Sequence, residues 1–314
     1  MYFEDGLADI LTAKVKEKGT PLCVGFDPHL HLLPDSLLMK HMFRRDNPFK
    51  AYAAAVEEYL LTILDRITPH VAVIKPQFAF FEQLGVEGIR VLSKLCREAR
   101  YRGLLVIGDA KRGDIGSTAS AYASAYLPEH LQQDPPTAIP LDAVTLNPYL
   151  GFDSIEPFLV NRSSTGVFIL VKTSNPSGAD LQDLKTETGT LAEVVSTKVN
   201  KWGESFVGES GFSSVGAVVG ATYPEEAGRL RNLMPKTLFL IPGFGAQGAG
   251  PDDAVVPLNK DGSGGVINSS RGILFAFRKE PYATDHGMNG YAAAAETACI
   301  EAKEQIRQAL ERKP

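Results

Sequence analysis

The sequence predicts an α/β protein, a (β/α)₈ TIM barrel folded as a single domain, and three observations carry that expectation. Eight short runs rich in Val, Ile, Leu and Phe recur along the chain, each bounded by Gly, Pro, Asn or Asp. Most are continuously apolar, as strands buried on both faces must be, which implies a parallel sheet. Segments with helical spacing separate the runs, and eight strands alternating with helices exceed the roughly five or six of a doubly wound sheet. The 314 residues suit one such barrel, so residues 1–314 are read as one domain.

In chain order the strands are expected at 21–27, 70–76, 103–109, 142–147, 166–173, 215–221, 237–243 and 265–269. The first ends in Asp27 before Pro28. The second, Val71 to Ile74, closes on Lys75, Pro76 and Gln77, and the third, Leu104 to Ile107, runs into Gly108-Asp109. Helical spacing places helices at 48–67, 85–100, 117–126, 189–207, 223–232 and 290–312. The stretches 174–189 and 243–264 are rich in Ser, Asn, Pro, Gly and Asp and read as extended loops after strands five and seven. Long loops at that rim are where barrel chemistry sits.

Composition removes several function classes. With 44% hydrophobic and 22% charged residues, the chain can bury a large core without disulfides or metals. Cys23, Cys96 and Cys299 are an odd number far apart, with no CxxC pair, so a reducing, cytoplasmic compartment is expected. Lys and Arg total 32 against 37 Asp and Glu, a net charge of −5 without a basic block. The electrostatic footprint of a nucleic-acid partner is missing. An acidic start and the lack of a long apolar run argue against a signal peptide or membrane span.

The most informative segment is Gly108-Asp109-Ala110-Lys111-Arg112-Gly113-Asp114. Side chains two apart on a strand share a face, so Asp109 and Lys111 both point into the barrel mouth. A structural ion pair with a solvated Asp114 is the bland alternative. Lys75, alone, could be a snorkelling surface group. Together, two lysines and two aspartates at strand ends can form an alternating-charge array in which carboxylates keep each lysine protonated and able to donate a proton. Asp27 is either a turn residue before proline or an acceptor for a sugar hydroxyl.

Residues 243–248, GFGAQG, match GxGxxG, but the motif comes at the seventh strand, and AGPDD after it is a poor helix start. A dinucleotide site is rejected. In barrels the loops after strands seven and eight commonly bind phosphate through backbone N–H groups, and Arg271 in NSSRG adds a bidentate cation. The substrate is therefore expected to be phosphorylated. His29-x-His31 could open a metal site, but no histidine follows between His130 and His286, so a plain loop is preferred. Lys172 could be a Schiff-base lysine, with a strand-end ion pair the preferred alternative. No GxSxG, HExxH or Walker A pattern is present.

Six segments in order, LCVGFDP (22–28), VIKPQFAFFE (73–82), GDAKRGDIGSTA (108–119), VKTSNPSGAD (171–180), IPGFGAQG (241–248) and NSSRGI (268–273), make the chain resemble the orotidine 5′-phosphate decarboxylase family, in its longer bacterial subgroup. The resemblance implies a (β/α)₈ homodimer with a shared active site that converts orotidine 5′-phosphate to uridine 5′-phosphate without metal, flavin or pyridoxal. It makes Lys75, Asp109, Lys111 and Asp114 the charged tetrad, with Lys111 the proton donor to C6. Asp114 and Thr118 would enter the neighbouring subunit's site near the ribose, and Asp27 would bind ribose hydroxyls. Ser174 would read the base edge. Gln247 and Arg271, with the loop around Gly245, would grip the phosphate. DIGST stands where DIPNT is commoner, and TSNPSG where many members are shorter. Three rivals remain. They are a metal-dependent decarboxylase or hexulose phosphate synthase with an acidic ligand in place of Lys75, a Schiff-base aldolase, and a catalytically silent phosphosugar-binding protein.

Overall fold

A computed structural model of the chain describes residues 6–44, 47–127, 137–160, 162, 164–245 and 248–313. Eight parallel strands close into a barrel: β1 (Leu22–Phe26), β2 (Val73–Pro76), β3 (Leu105–Arg112), β4 (Ala143–Leu146), β5 (Gly166–Lys172), β6 (Ser213–Val219), β7 (Thr237–Ile241) and β8 (Gly265–Ser269). Each pairs with its neighbour in sequence, and β8 returns to β1 through Leu22↔Ile267 and its successors. The longer helices are α1 (Leu7–Lys18), α2 (Asp35–Met42), α3 (Pro48–Ile67), α4 (Gly85–Tyr101), α5 (Gly116–Tyr126), α6 (Leu191–Gly203), α7 (Pro224–Leu233) and α8 (Tyr291–Arg312).

Alternation along the strands sorts the core into two layers. Leu22, Val24 and Phe26 of β1 and Phe239 and Ile241 of β7 pack outward against the helices. Cys23, Val73, Leu105, Phe168, Leu240 and Val266 fill the interior. The lower end of that interior is closed by Leu7, Ala8, Leu11 and Val15 of α1, a helix whose apolar positions fall at i, i+4 and i+8 and which ends at Gly19 in the left-handed conformation (φ +64°). The upper end stays open and polar.

Several elements differ from their sequence-based bounds. β3 runs on to Arg112, so Asp109 and Lys111 lie on the strand itself. α6 begins at Leu191, because Thr190 and Glu193 form a reciprocal capping box, and Gly189–Thr190 pairs with Lys185–Thr186 as a small hairpin. The stretch after β5 is thus structured. After β7, Pro251–Val255 is a short helix despite its unpromising start, with the Asp253 carboxylate accepting from the Gly250 N–H at 2.9 Å. Three 3₁₀ turns between Pro148 and Phe158 replace the helix after β4. Helices α1 and α2 were not anticipated. Among the described residues no helix is long and apolar enough to cross a membrane.

Leu11, 2% exposed in this lower plug, lies at the end of the barrel opposite the polar mouth. Leu11→Ala should cost about 2–5 kcal/mol through lost burial and a residual cavity, read as a lower denaturation midpoint. The polar mouth of the folded protein should be unaffected.

Candidate active site

The polar mouth holds a cavity of about 280 Å³ above the barrel core. On its β2–β4 side the Asp109 carboxylate is the hub. Its Oδ2 accepts from Lys75 Nζ at 2.8 Å and from Gln77 Nε2 at 2.9 Å. Its Oδ1 accepts from Lys111 Nζ at 2.5 Å and from Thr145 Oγ1 at 3.2 Å. The Lys75 and Asp109 side chains are buried, whereas 45% of Lys111 is exposed, which leaves that ammonium accessible to a ligand. Burial discourages charge on Lys75, but the carboxylates of Asp109 and Asp27 outweigh it and hold the ammonium above the ordinary lysine range. Burial likewise pushes Asp109 up, and Lys75 and Lys111 more than reverse it, leaving the carboxyl well below the usual carboxylate range. Lys75 and Asp109 therefore meet as an ion pair.

Across the mouth, where β7, β8 and β1 end, the cavity is lined by Gly243, Phe244, Ser270, Arg271 and Asp27. Asp27 Oδ1 is buried with no hydrogen-bond partner among the described residues. A buried carboxylate oxygen without a donor is costly, so this one is poised for a ligand hydroxyl. Gly25 permits the close approach of Ser270 to β1: a Cβ there would lie 1.9 Å from Ser270 Oγ. Thr173, Ser174 and Asn175 form the wall after β5, and Leu170, Val218 and Leu240 supply an apolar floor. One end of the cavity suits an anion and the other a group that develops negative charge.

A family model described as orotidine 5′-phosphate decarboxylase / HUMPS family matches residues 20–283, which include all eight strands and the whole charged array. The chain belongs to the orotidine 5′-phosphate decarboxylase / HUMPS family. It is 42% identical over 299 residues to orotidine 5′-phosphate decarboxylase of Rhodopirellula baltica, covering 95% of this chain and 97% of that protein. The enzyme of the same name from Caldicellulosiruptor bescii is 39% identical over 290 residues, 91% of this chain and 95% of the relative. The structure of Leishmania donovani OMP decarboxylase matches with a TM-score of 0.72 at 31% identity, covering 98% of this chain and 100% of the other.

Of the residues that the family resemblance singles out, the fold brings Asp27, Lys75, Asp109, Lys111, Ser174 and Arg271 into one cavity. Asp114 and Thr118 do not line it: Asp114 Oδ1 accepts from the Ile115 N–H at 2.9 Å, and Thr118 is exposed on α5. Gly245 (φ +79°) is also outside the lining, because its N–H donates to Ala249 O within the loop. Gln247 lies outside the described residues. Lys172 is turned away by a register slip, Leu170 pairing with Val218 but Lys172 with Val219, so that Thr173 faces the cavity instead. Its ammonium is buried between Asp183 and Glu226 beside the Tyr223 ring. His29 packs edge-on against Phe80, and among the described residues no three His, Cys, Asp or Glu gather as a metal site. Sequence reasoning missed Gln77, Thr145 and Asn268 as cavity residues. Strand alternation could have found them, since each lies two residues on from an inward position.

The charge on Asp109 should appear in acid stability. The unfolded carboxyl takes up its proton near pH 3.9, the native one only at much lower pH, so its stabilising contribution is present above about pH 4 and is lost as pH falls. Between pH 4 and pH 3, wild-type stability in urea titrations should drop about 1 kcal/mol per pH unit more steeply than that of Asp109→Asn. Equal slopes would show that Asp109 is not held ionised by its lysines.

Proposed function

We propose that this chain removes CO₂ from orotidine 5′-phosphate to give uridine 5′-phosphate, the last step in making a pyrimidine nucleotide, with Lys111 delivering the proton to C6. One observation carries the reading: a Lys75–Asp109–Lys111 array whose carboxylate accepts four hydrogen bonds and whose half-exposed lysine, Lys111, lines the cavity. When the C6–CO₂ bond breaks, its electron pair stays on C6 in the plane of the ring, where no ring carbonyl delocalises it. Positive charge placed at C6 is the available stabilisation. Lys111 supplies it and then transfers a proton, so that its N–H bond breaks as C6–H forms. Asp109 holds Lys111 by a hydrogen bond and so aims it.

The rest of the cavity orients the nucleotide. Arg271 takes the phosphate, with Gln247 and the loop around Gly245 closing on it, and Asp27 Oδ1 accepts from a ribose hydroxyl. Ser174 reads the base edge. Binding energy gathered at the phosphate, remote from C6, holds the base against Lys111. The metal-dependent reading is disfavoured because a dication on Asp109 would face ammonium groups from both sides, and the aldolase reading because Lys172 is ion-paired away from the cavity. No cofactor enters this scheme. Three buried free cysteines suit a cytoplasmic enzyme.

The active unit in this proposal is a homodimer. Asp114 and Thr118 face away from their own cavity, and the loops after β3 and β4, joined by the Asn147 N–H to Arg112 O, expose Ile115, Tyr149 and Leu150. A second copy docking on that apolar rim would receive Asp114 and Thr118 at its ribose site.

Purified protein should consume orotidine 5′-phosphate, followed by ultraviolet absorbance, with a chelator present. Lys111→Ala should lose orders of magnitude in turnover while keeping its affinity for uridine 5′-phosphate, and Arg271→Ala should weaken that affinity by about 1.5–3 kcal/mol. Activity that requires added Mg²⁺ would transfer the chain to a metal-dependent reaction.

Subunit exchange tests the shared site. Lys75→Ala and Asp114→Ala, each inactive alone, are unfolded and refolded together. If Asp114 acts in trans, half the dimers are mixed and half their sites intact, so roughly a quarter of wild-type activity returns. No recovery despite proven mixed dimers would place Asp114 in its own chain's site or outside the reaction.

A further inference from the structure

Lys111 is the one residue other than glycine with positive φ (+49°) among the described residues. An L side chain avoids that region unless its surroundings enforce it. The cause lies in the pairing of β3 with β4, where Gly108 faces Val144 and Arg112 faces Leu146. Four steps along β3 thus span only two along β4, and Asp109, Ala110 and Lys111 bulge between them. At this bulge the Lys111 N–H donates to Thr145 Oγ1 at 2.9 Å. The same oxygen lies 3.2 Å from Asp109 Oδ1, to which its single proton can be donated, and 3.5 Å from Gly108 O. Thr145 is 1% exposed.

We propose that Thr145 is the positioning residue for Lys111: its hydroxyl serves as the hydrogen-bond partner of the bulged peptide and holds Lys111 in the left-handed conformation that aims its ammonium at Asp109 and the cavity. The flanking contacts act on the neighbours. Arg112 O accepts from the Asn147 N–H at 2.8 Å, and the Arg112 guanidinium donates to Ala110 O at 3.1 Å. Thr145 acts on the Lys111 peptide itself and, through one oxygen, on the carboxylate that Lys111 must meet. With a methyl in place of the hydroxyl, the Lys111 N–H has lost its acceptor. The backbone then gains by leaving the left-handed region, and a change of φ that large swings the lysine side chain off its aim.

The kinetic part rests on the decarboxylase reading; the conformational part does not. Thr145→Val is nearly isosteric and removes only the hydroxyl, and Thr145→Ser restores it. In Thr145→Val, kcat should fall about 10- to 100-fold for a displaced proton donor, with the dissociation constant for uridine 5′-phosphate within about twofold of wild type, and Thr145→Ser should recover most of the loss. A crystal structure of Thr145→Val should show Lys111 at negative φ with its Nζ withdrawn from Asp109. Unchanged kcat would overturn the proposal. So would a loss of nucleotide affinity matching the loss of kcat, which would make Thr145 a ligand contact, or a Lys111 that keeps its positive φ without the hydroxyl. Should Thr145→Val not fold, Thr145→Ala is held to the same outcomes. A wild-type protein inert toward orotidine 5′-phosphate would refute the decarboxylase reading alone, and the φ of Lys111 in the variant would still decide the conformational claim.

Discussion

The Asp109 carboxylate, taken out of water and held by four donors, is the constraint on which the functional end of this barrel depends. Two of the donors are ammonium groups, so the carboxylate is compensated twice, and Lys75 is kept charged in a site whose burial would otherwise discourage it. Such an array is a poor device for stability alone, because packed apolar side chains often serve a barrel interior as well or better, by about 1–4 kcal/mol. Its geometry is better understood as preorganised charge. The dipoles and ions are in place before a ligand arrives and need no reorganisation when charge develops beside them.

The barrel provides this array through strand parity and two departures from it. On β1 and β2 strict alternation carries the inward face from Cys23 to Asp27 and from Val73 through Lys75 to Gln77. On β3 alternation runs from Leu105 and Ile107 to Asp109, the bulge opposite Thr145 sets Lys111 beside it at positive φ, and on β5 a one-residue slip rotates Lys172 out and Thr173 in. These irregularities sit at the upper rim. The lower end is plugged by the apolar face of α1, so stability and chemistry occupy opposite ends of one sheet.

Much of this was written in the chain. Continuous apolar runs punctuated by Gly, Pro, Asn and Asp specify eight buried parallel strands, because a strand covered on both faces has no polar side to show. The charged residues at the strand ends stand out for the same reason, since Asp109 and Lys75 adjoin apolar segments where a lone charge could not remain, and the segment from 108 to 119 carries the family's signature. Helices α1 and α2 are hard to read from sequence because their apolar positions are few, and their burial comes from distant segments, the barrel end for α1 and α3 for α2.

Tertiary structure alone decided which side chains share a cavity. Lys172, like Lys75, ends an apolar run, and one slipped register gives it the ion pair preferred from sequence and names the partners, Asp183 and Glu226; a side-chain period of two means that a single inserted residue exchanges the faces of everything beyond it. Thr145, an unremarkable threonine in an apolar run, becomes a hub because β3 bulges opposite it, and pairing between strands is a property of two segments that neither sequence contains by itself. Asp114 belongs to the segment that carries the resemblance but does not line its own cavity, because the chain has left β3 before reaching it. Residue types and their periodicity are local, so the sequence determined the barrel and the chemistry it could hold. Register, bulges and the direction of each rim side chain arise from contacts between distant segments, so only the folded barrel could determine them.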